Sequence, residues 1–164
     1  MKTSIKYMLL TCVVVFTVGC TANYRPADGA PVAKLLFTTN KGPGMFVGLW
    51  TIQTEKCPTI SKVCLLTDGQ TNKKDALVEI DAGKPFVVKA QLVNILTGTK
   101  CNDAGVFTPM PGATYRLKHT ITPQGCWLEL FKGDSAIKDP SFRQLVSVEE
   151  KDICSEFITM KPRS

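Results

Sequence analysis

The feature that most constrains the fold of this chain is a series of short apolar runs separated by turn-forming residues. The runs span residues 33–39, 45–54, 62–67, 76–81, 85–96, 114–121, 126–132, 144–149 and 156–160. They are rich in Val, Ile, Phe, Tyr, Thr and Trp, which suit a pleated, half-buried surface. No apolar period of 3.6 residues persists for a dozen residues. The pattern predicts an all-β fold, an antiparallel two-sheet sandwich stapled by disulfides, with a small β-barrel as the alternative.

The clearest predicted strand is the stretch TYRLKHTI, residues 114–121. Tyr115, Leu117, His119 and Ile121 alternate with hydroxyl and basic residues, so these four side chains should face the core. The following TPQG, residues 122–125, has the residues of a type I turn and predicts a hairpin with the next run. We interpret His119 as a core or rim residue with one satisfied hydrogen bond, in preference to a proton-transfer group or pH switch.

The N-terminal stretch has the layout of a secretory signal peptide over residues 1–19. Two lysines precede an uncharged run, residues 7–18, whose twelve residues are fewer than the roughly 20 that cross a bilayer. The run ends in TVGC, which resembles the lipobox of bacterial lipoproteins, so Cys20 is expected to be acylated with fatty acids such as palmitate. The alternative is ordinary cleavage after Ala22, which would give a soluble protein.

The resemblance also suggests where the mature protein resides. Thr21, and not aspartate, follows the cysteine, and by the sorting pattern of enterobacterial lipoproteins this implies the periplasmic face of the outer membrane. The polar, Pro- and Gly-containing residues 20–32 predict a flexible tether. Residues 33–164 then form a single domain, long enough to bury a core.

The charge of the mature chain is modest and scattered. The sequence has 20 basic and 14 acidic side chains, and Lys2 and Lys6 leave with the signal, so the formal charge is 18 − 14 = +4. There is no basic stripe of the kind that binds nucleic acid, and an exported protein does not meet it, so we expect no nucleic-acid partner.

Five cysteines remain once Cys12 is removed with the signal and Cys20 is assigned to the lipid. Metal binding is not expected, because no C-x-x-C pair occurs and His119 is the only histidine. In an oxidising compartment the thiols should pair and leave one over. The five are Cys57, Cys64, Cys101, Cys126 and Cys154.

Two disulfides are predicted from the positions of the cysteines in the chain. Cys101 should bond to Cys126, because one connection and one strand lie between them and both are expected at neighbouring strand ends. Cys57 should bond to Cys64, its neighbour in the chain across a loop of 8 residues, and leave Cys154 free, with a bond from Cys154 to either of these two as the alternative.

The sequence contains no motif that predicts catalysis or a cofactor. The patterns G-x-S-x-G and H-E-x-x-H, the P-loop and the EF-hand loop are all absent. No catalytic, cofactor-binding or metal-binding residue is therefore assigned. A pair of carboxylates acting on envelope polymers would be a spatial arrangement that sequence does not reveal.

A phrase between two cysteines carries a further resemblance. Phe107, Pro109, Gly112 and Tyr115 form F-x-P-x-x-G-x-x-Y, and over roughly residues 33 to 130 the chain resembles small β-sandwich lipoproteins of Gram-negative bacteria. The resemblance implies a lipidated sandwich and no particular activity. We expect a non-enzymatic binding or assembly module of the cell envelope, with an envelope protein as its partner. The alternatives are a lysozyme-type inhibitor lipoprotein and a hydrolase of envelope polymers.

Overall fold

The computed structural model describes residues 24–42, 44–53, 59–66, 75–145, 149 and 152–155. The predicted signal peptide, Cys20, Cys57 and the predicted strand at 156–160 lie outside the described residues. The described part contains nine strands and a helical turn at 152–155. The strands are β1 Val32–Thr39, β2 Met45–Gln53, β3 Thr59–Leu66, β4 Asp75–Asp81, β5 Phe86–Asn94, β6 Lys100–Phe107, β7 Thr114–Thr122, β8 Gly125–Lys132 and β9 Arg143–Gln144.

The strands form two sheets that pack face to face, which confirms the predicted sandwich. One sheet has the order β4-β1-β7-β8 and the other the order β3-β2-β5-β6-β9. Within the described residues both sheets are open at their edge strands, so the barrel alternative is wrong.

The pairing is antiparallel with a single exception among the described strands. β1 pairs in parallel with β7, from Lys34 opposite Thr114 to Thr39 opposite His119. Its other neighbour, β4, is antiparallel. A parallel pair requires a long connection, and here the connection contains β2 to β6, which supply most of the second sheet.

The main core lies between the sheets and contains the inward face of β7. Tyr115, Leu117 and His119 are buried, as the alternation predicted, and Ile121 is half-buried near the strand end. Inward side chains from both sheets fill the same layer: Leu35, Phe37, Val47, Leu49, Val88, Ala90, Leu92, Phe107, Leu128 and Leu130.

A second, smaller core covers the outer face of the five-stranded sheet. Val87 and Ala104 point away from the main core and pack with Leu145, Ile153 and Cys154 from the C-terminal part of the chain. β5 is therefore buried on both faces along its first half. This burial accounts for the apolar start of β5, because a strand buried on both faces does not alternate.

Two stretches differ from the sequence-based expectation. Residues 100–107 form strand β6 and not a connection, although polar Asn102 and Asp103 stand at the centre of this stretch. The strand predicted at 144–149 is reduced to the two residues of β9, with 146–148 outside the described residues.

Candidate functional site

Three turns meet at one end of the sandwich and enclose a cleft of about 640 Å³, which we call the end cleft. They are the segment after β1, the β5–β6 turn and the β7–β8 turn. The volume falls within the range of ligand pockets, roughly 300–1,000 Å³. The lining residues are Asn40, Gly42, Met45, Leu92, Asn94, Thr97, Thr99, Lys100, Cys101, Ile121, Thr122, Pro123, Gln124 and Gly125.

Asn40 fixes the first wall of the end cleft by continuing the pairing of β1 with β7. Its Nδ2 donates to the carbonyl of Ile121 at 3.0 Å, and its Oδ1 accepts the Ile121 N–H at 2.7 Å. The side-chain amide thus replaces the next backbone pair beyond Thr39. Because this amide bonds to the backbone of Ile121, its main effect on the cleft is to hold Ile121 in place.

The β5–β6 turn forms the second wall and is braced by its own side chains. Asn94 Oδ1 accepts the backbone N–H of Leu96 at 2.9 Å and that of Thr97 at 3.3 Å. Gly98 has φ of 70°, a conformation in which glycine is unstrained, and its N–H donates to the Asn94 carbonyl. The braced turn presents Ile95 and Leu96 to solvent, 62% and 75% exposed.

The β7–β8 turn and a disulfide complete the cleft. The predicted hairpin is confirmed, and Thr122 Oγ1 donates to the Gly125 carbonyl at 3.2 Å across the turn. The predicted bond between Cys101 and Cys126 is present, with a Cα–Cα distance of 6.2 Å. It joins β6 of one sheet to β8 of the other, so the sheets cannot separate at this end.

The chemistry of the end cleft is that of a binding surface for an apolar group. Met45, Leu92, Ile121 and Pro123 supply its apolar walls, and Lys100 is the charged residue among the described lining residues. Most polar groups there already bond within their own turns. The same set of lining residues contains no carboxylate.

A smaller side pocket of about 270 Å³ contains the acids that the end cleft lacks. Glu129 and Asp139 both line it. The Lys138 ammonium lies 2.6 Å from Glu129 Oε1, and Asp139 Oδ1 accepts the Ser141 N–H at 2.8 Å. Both carboxylates therefore hold the chain segment after β8 in place.

His119 is buried, but without the hydrogen bond that we expected. It is 0% exposed, and neither ring nitrogen has a hydrogen-bond partner among the described residues. Its ring stacks on Phe37 with a centroid distance of 6.4 Å. Burial lowers the pKa of His119 to about 4, so the ring is neutral at neutral pH.

The predicted bond between Cys57 and Cys64 is wrong. Cys64 is free, and it packs against the main core opposite Leu49 of β2. Cys154 is disulfide-bonded, as the alternative had it, and packs in the second core. Proximity along the chain favours pairing Cys57 with Cys64. The Cys64 side chain points inward, however, and remains a free thiol. Burial raises the pKa of Cys64 to about 12.

Asp103 of β6 is a buried polar residue that sequence analysis did not single out. Its Oδ1 accepts hydrogen bonds from Gln144 Nε2 at 2.9 Å and from the Ala104 N–H at 2.8 Å. Burial raises the pKa of this carboxyl, and those hydrogen bonds oppose part of the rise. The contact with Gln144 joins β6 to β9, which is a structural role.

Comparison with known proteins assigns the chain to no family. No protein-family model matches it, and a search of curated proteins finds no match. Among the described residues there is no helix with the length and apolarity needed to cross a bilayer. The same residues contain no group of three or more His, Cys, Asp or Glu side chains that could hold a metal ion.

Proposed function

We propose that this chain is a lipid-anchored, non-enzymatic binding module of the cell envelope, held by Cys20 at the periplasmic face of the outer membrane. The observation that carries the binding role is the end cleft, with its apolar walls and the charge of Lys100. The anchor is supported by the TVGC boundary at residues 17–20 and the short apolar run before it.

The partner that suits the end cleft is an envelope protein that inserts an apolar side chain. Ile95 and Leu96 extend the apolar surface from the cleft onto the solvent-exposed part of the β5–β6 turn. Exposed apolar residues beside a pocket are typical of protein interaction sites. Because Asn40, Asn94 and Thr122 already bond to the backbone of the cleft, few polar groups remain to orient a polar ligand.

Site-specific cross-linking in the native envelope tests this binding role. A photoreactive amino acid at Gln124, in the lining, should capture a discrete protein, whereas the same group at exposed Glu79 on β4 should not. Thr99→Trp, which fills the cleft, should abolish the capture. Thr108→Trp places the same side chain at an exposed threonine at the other end of the sandwich and should preserve it.

Two results would contradict the binding role at this site. One is capture that persists unchanged in Thr99→Trp, and the other is equal capture from Glu79. Release of soluble fragments from purified peptidoglycan by the mature protein would instead show a hydrolase. Inhibition of lysozyme would support the inhibitor alternative and identify lysozyme as the partner.

The anchor is tested separately by fractionation. Cys20→Ala should release the protein from the membrane fraction or leave the precursor unprocessed. A wild-type mature protein that begins at Asn23 and is soluble would reject the lipoprotein.

A further inference from the structure

Tyr24 closes the open side of the sandwich between β3 and β4. Its backbone N–H donates to the Lys62 carbonyl of β3 at 2.7 Å, and its hydroxyl accepts the Asp81 N–H of β4 at 2.8 Å. Its ring packs edge-on against Phe86 of the main core, with centroids 5.5 Å apart. One residue therefore contacts both sheets and the core between them.

The segment after Tyr24 is also held, which differs from the flexible tether predicted over 20–32. The Ala27 N–H donates to Asp81 Oδ1 at 3.1 Å, and the Pro31 carbonyl accepts the Ala82 N–H at 2.8 Å. Asp81 accounts for much of the difference, because its carboxylate and its backbone N–H together bind two points of this segment.

The folded body therefore begins close to the proposed anchor. Between Cys20 and Tyr24 the sequence has only three residues, Thr21, Ala22 and Asn23. The four residue steps from Cys20 to Tyr24 span at most about 14 Å when fully extended. A domain of about 140 residues has a radius of gyration of about 14 Å, so it measures roughly 35 Å across. The connection is too short for such a body to turn freely above a membrane.

We infer that the side of the sandwich formed by Tyr24, β3 and β4 lies against the lipid bilayer and that the end cleft faces away from it. The inference rests on the proposed lipid anchor at Cys20. It goes beyond that anchor, because it states which surface of the folded body contacts the lipid headgroups and which surface stays open to a partner.

The end cleft lies at the end of the sandwich opposite to Tyr24. Phe86 begins β5 beside Tyr24, whereas Asn94 ends β5 in the lining of the cleft, and nine strand residues extend about 26 Å. The disulfide beside the cleft joins β6 and β8, whereas Tyr24 joins β3 and β4, three strand spacings or about 14 Å away. A partner would therefore approach the cleft from the aqueous side.

The charges on the membrane-facing side are compatible with lipid headgroups. Arg25 is exposed, Lys62 is half-buried, and Lys84 pairs with Asp81 at 3.5 Å while its side chain stays 47% exposed. Exposed Asp28 offsets part of this positive charge. Exposed Asp75 and Glu79 of β4 add two further negative charges, so this side carries both signs, and its contact with the bilayer is inferred from the short connection to the anchor and not from charge.

The test uses the full lipidated protein in vesicles of phosphatidylethanolamine and phosphatidylglycerol. A spin-labelled unnatural amino acid is placed at Arg25 or at Gln124, and its relaxation by a nickel chelate attached to lipid is compared with that by a soluble nickel complex. Arg25 should show a several-fold higher ratio of lipid-bound to soluble relaxation than Gln124.

A length variant supplies the matched control. Inserting 20 Gly/Ser residues between Asn23 and Tyr24 adds an average reach of about 25 Å, so the difference between the two labels should disappear while the anchor and the fold stay intact. Equal ratios at both labels without the insertion, or a higher ratio at Gln124, would overturn the inference. Failure of the protein to float with the vesicles would instead reject the proposed anchor, and with it the orientation.

Discussion

Replacing His119 with leucine should remove a large part of the acid sensitivity of this fold. The ring is fully buried, and its pKa is lowered by that burial from 6.5 to about 4. The unfolded chain takes up a proton near pH 6.5, whereas the folded chain resists it until about pH 4. The free energy of unfolding should therefore fall as the pH falls through this window.

The magnitude follows from the two pKa values. Between pH 7 and pH 4.5 the wild-type protein should lose about 2.5 kcal/mol through His119, by proton linkage. His119→Leu removes the titrating group together with two ring nitrogens that have no partner among the described residues. At pH 7 the loss of that polar penalty stabilises the variant, whereas fitting a leucine of different shape and slightly larger volume into the site of the ring costs packing energy.

Urea unfolding curves measured from pH 7 to pH 4.5 test the prediction. Leu117→Met is the control, since it changes the same face of β7 without removing a titratable group and should retain the wild-type pH slope. The raised pKa of Asp103 has the opposite sign, because its folded form favours the proton, so stability from that group is lost as pH rises. The difference between His119→Leu and wild type is therefore the measured quantity. Parallel pH curves for these two proteins would refute the reasoning.

Three further predictions concern stability and thiol chemistry. Leu117→Ala should cost about 2–5 kcal/mol in urea unfolding, whereas exposed Lys118→Ala should cost under about 0.5 kcal/mol, and equal small effects would reject the register of β7. Replacing Cys101 and Cys126 with alanine should cost about 3.5 kcal/mol on chain-entropy arithmetic for their loop; an unchanged urea midpoint would contradict this. Cys64 should react with a thiol reagent at pH 8 only after unfolding, because its pKa is about 12, so fast labelling of the native protein would argue against its burial.

Sequence patterns predict the sandwich because its strands are amphipathic or wholly apolar. β7 is the best example, since its alternation predicts the burial of Tyr115 and Leu117 that the structure shows. The polar centre of β6 hides this strand from sequence analysis, because the Asp103 Oδ1 there accepts a hydrogen bond from Gln144, a partner 41 residues away. Such a long-range hydrogen bond leaves no local signal in the chain.

The cysteines show the same limit. The Cys101–Cys126 bond is predicted with Cys101 just beyond a strand, although Cys101 lies within β6. The two cysteines still meet, because β6 and β8 both begin at the end of the sandwich that holds the cleft. Cys57 and Cys64 are close along the chain, and that argument fails for Cys64 because its side chain packs inward.

The end cleft could not be predicted either. It is built from three turns whose residues lie far apart in the chain, such as Asn40 and Ile121, which are 81 positions apart. Sequence patterns identify turn residues one turn at a time. Only the packing of the two sheets brings these turns to one end.

The parallel pairing of β1 with β7 has a consequence for how the chain folds. β1 pairs with β4 on one side. On its other side it pairs with β7, whose residues lie 80 positions further along the chain, as Thr114 does from Lys34 (114 − 34). Contacts of such long range make folding slow, on the order of milliseconds to seconds. Until β7 arrives, one edge of the apolar strand β1 is open to pairing with other chains. Chains truncated before residue 114 should therefore leave β1 sensitive to protease, whereas chains that include β7 and β8 should protect it.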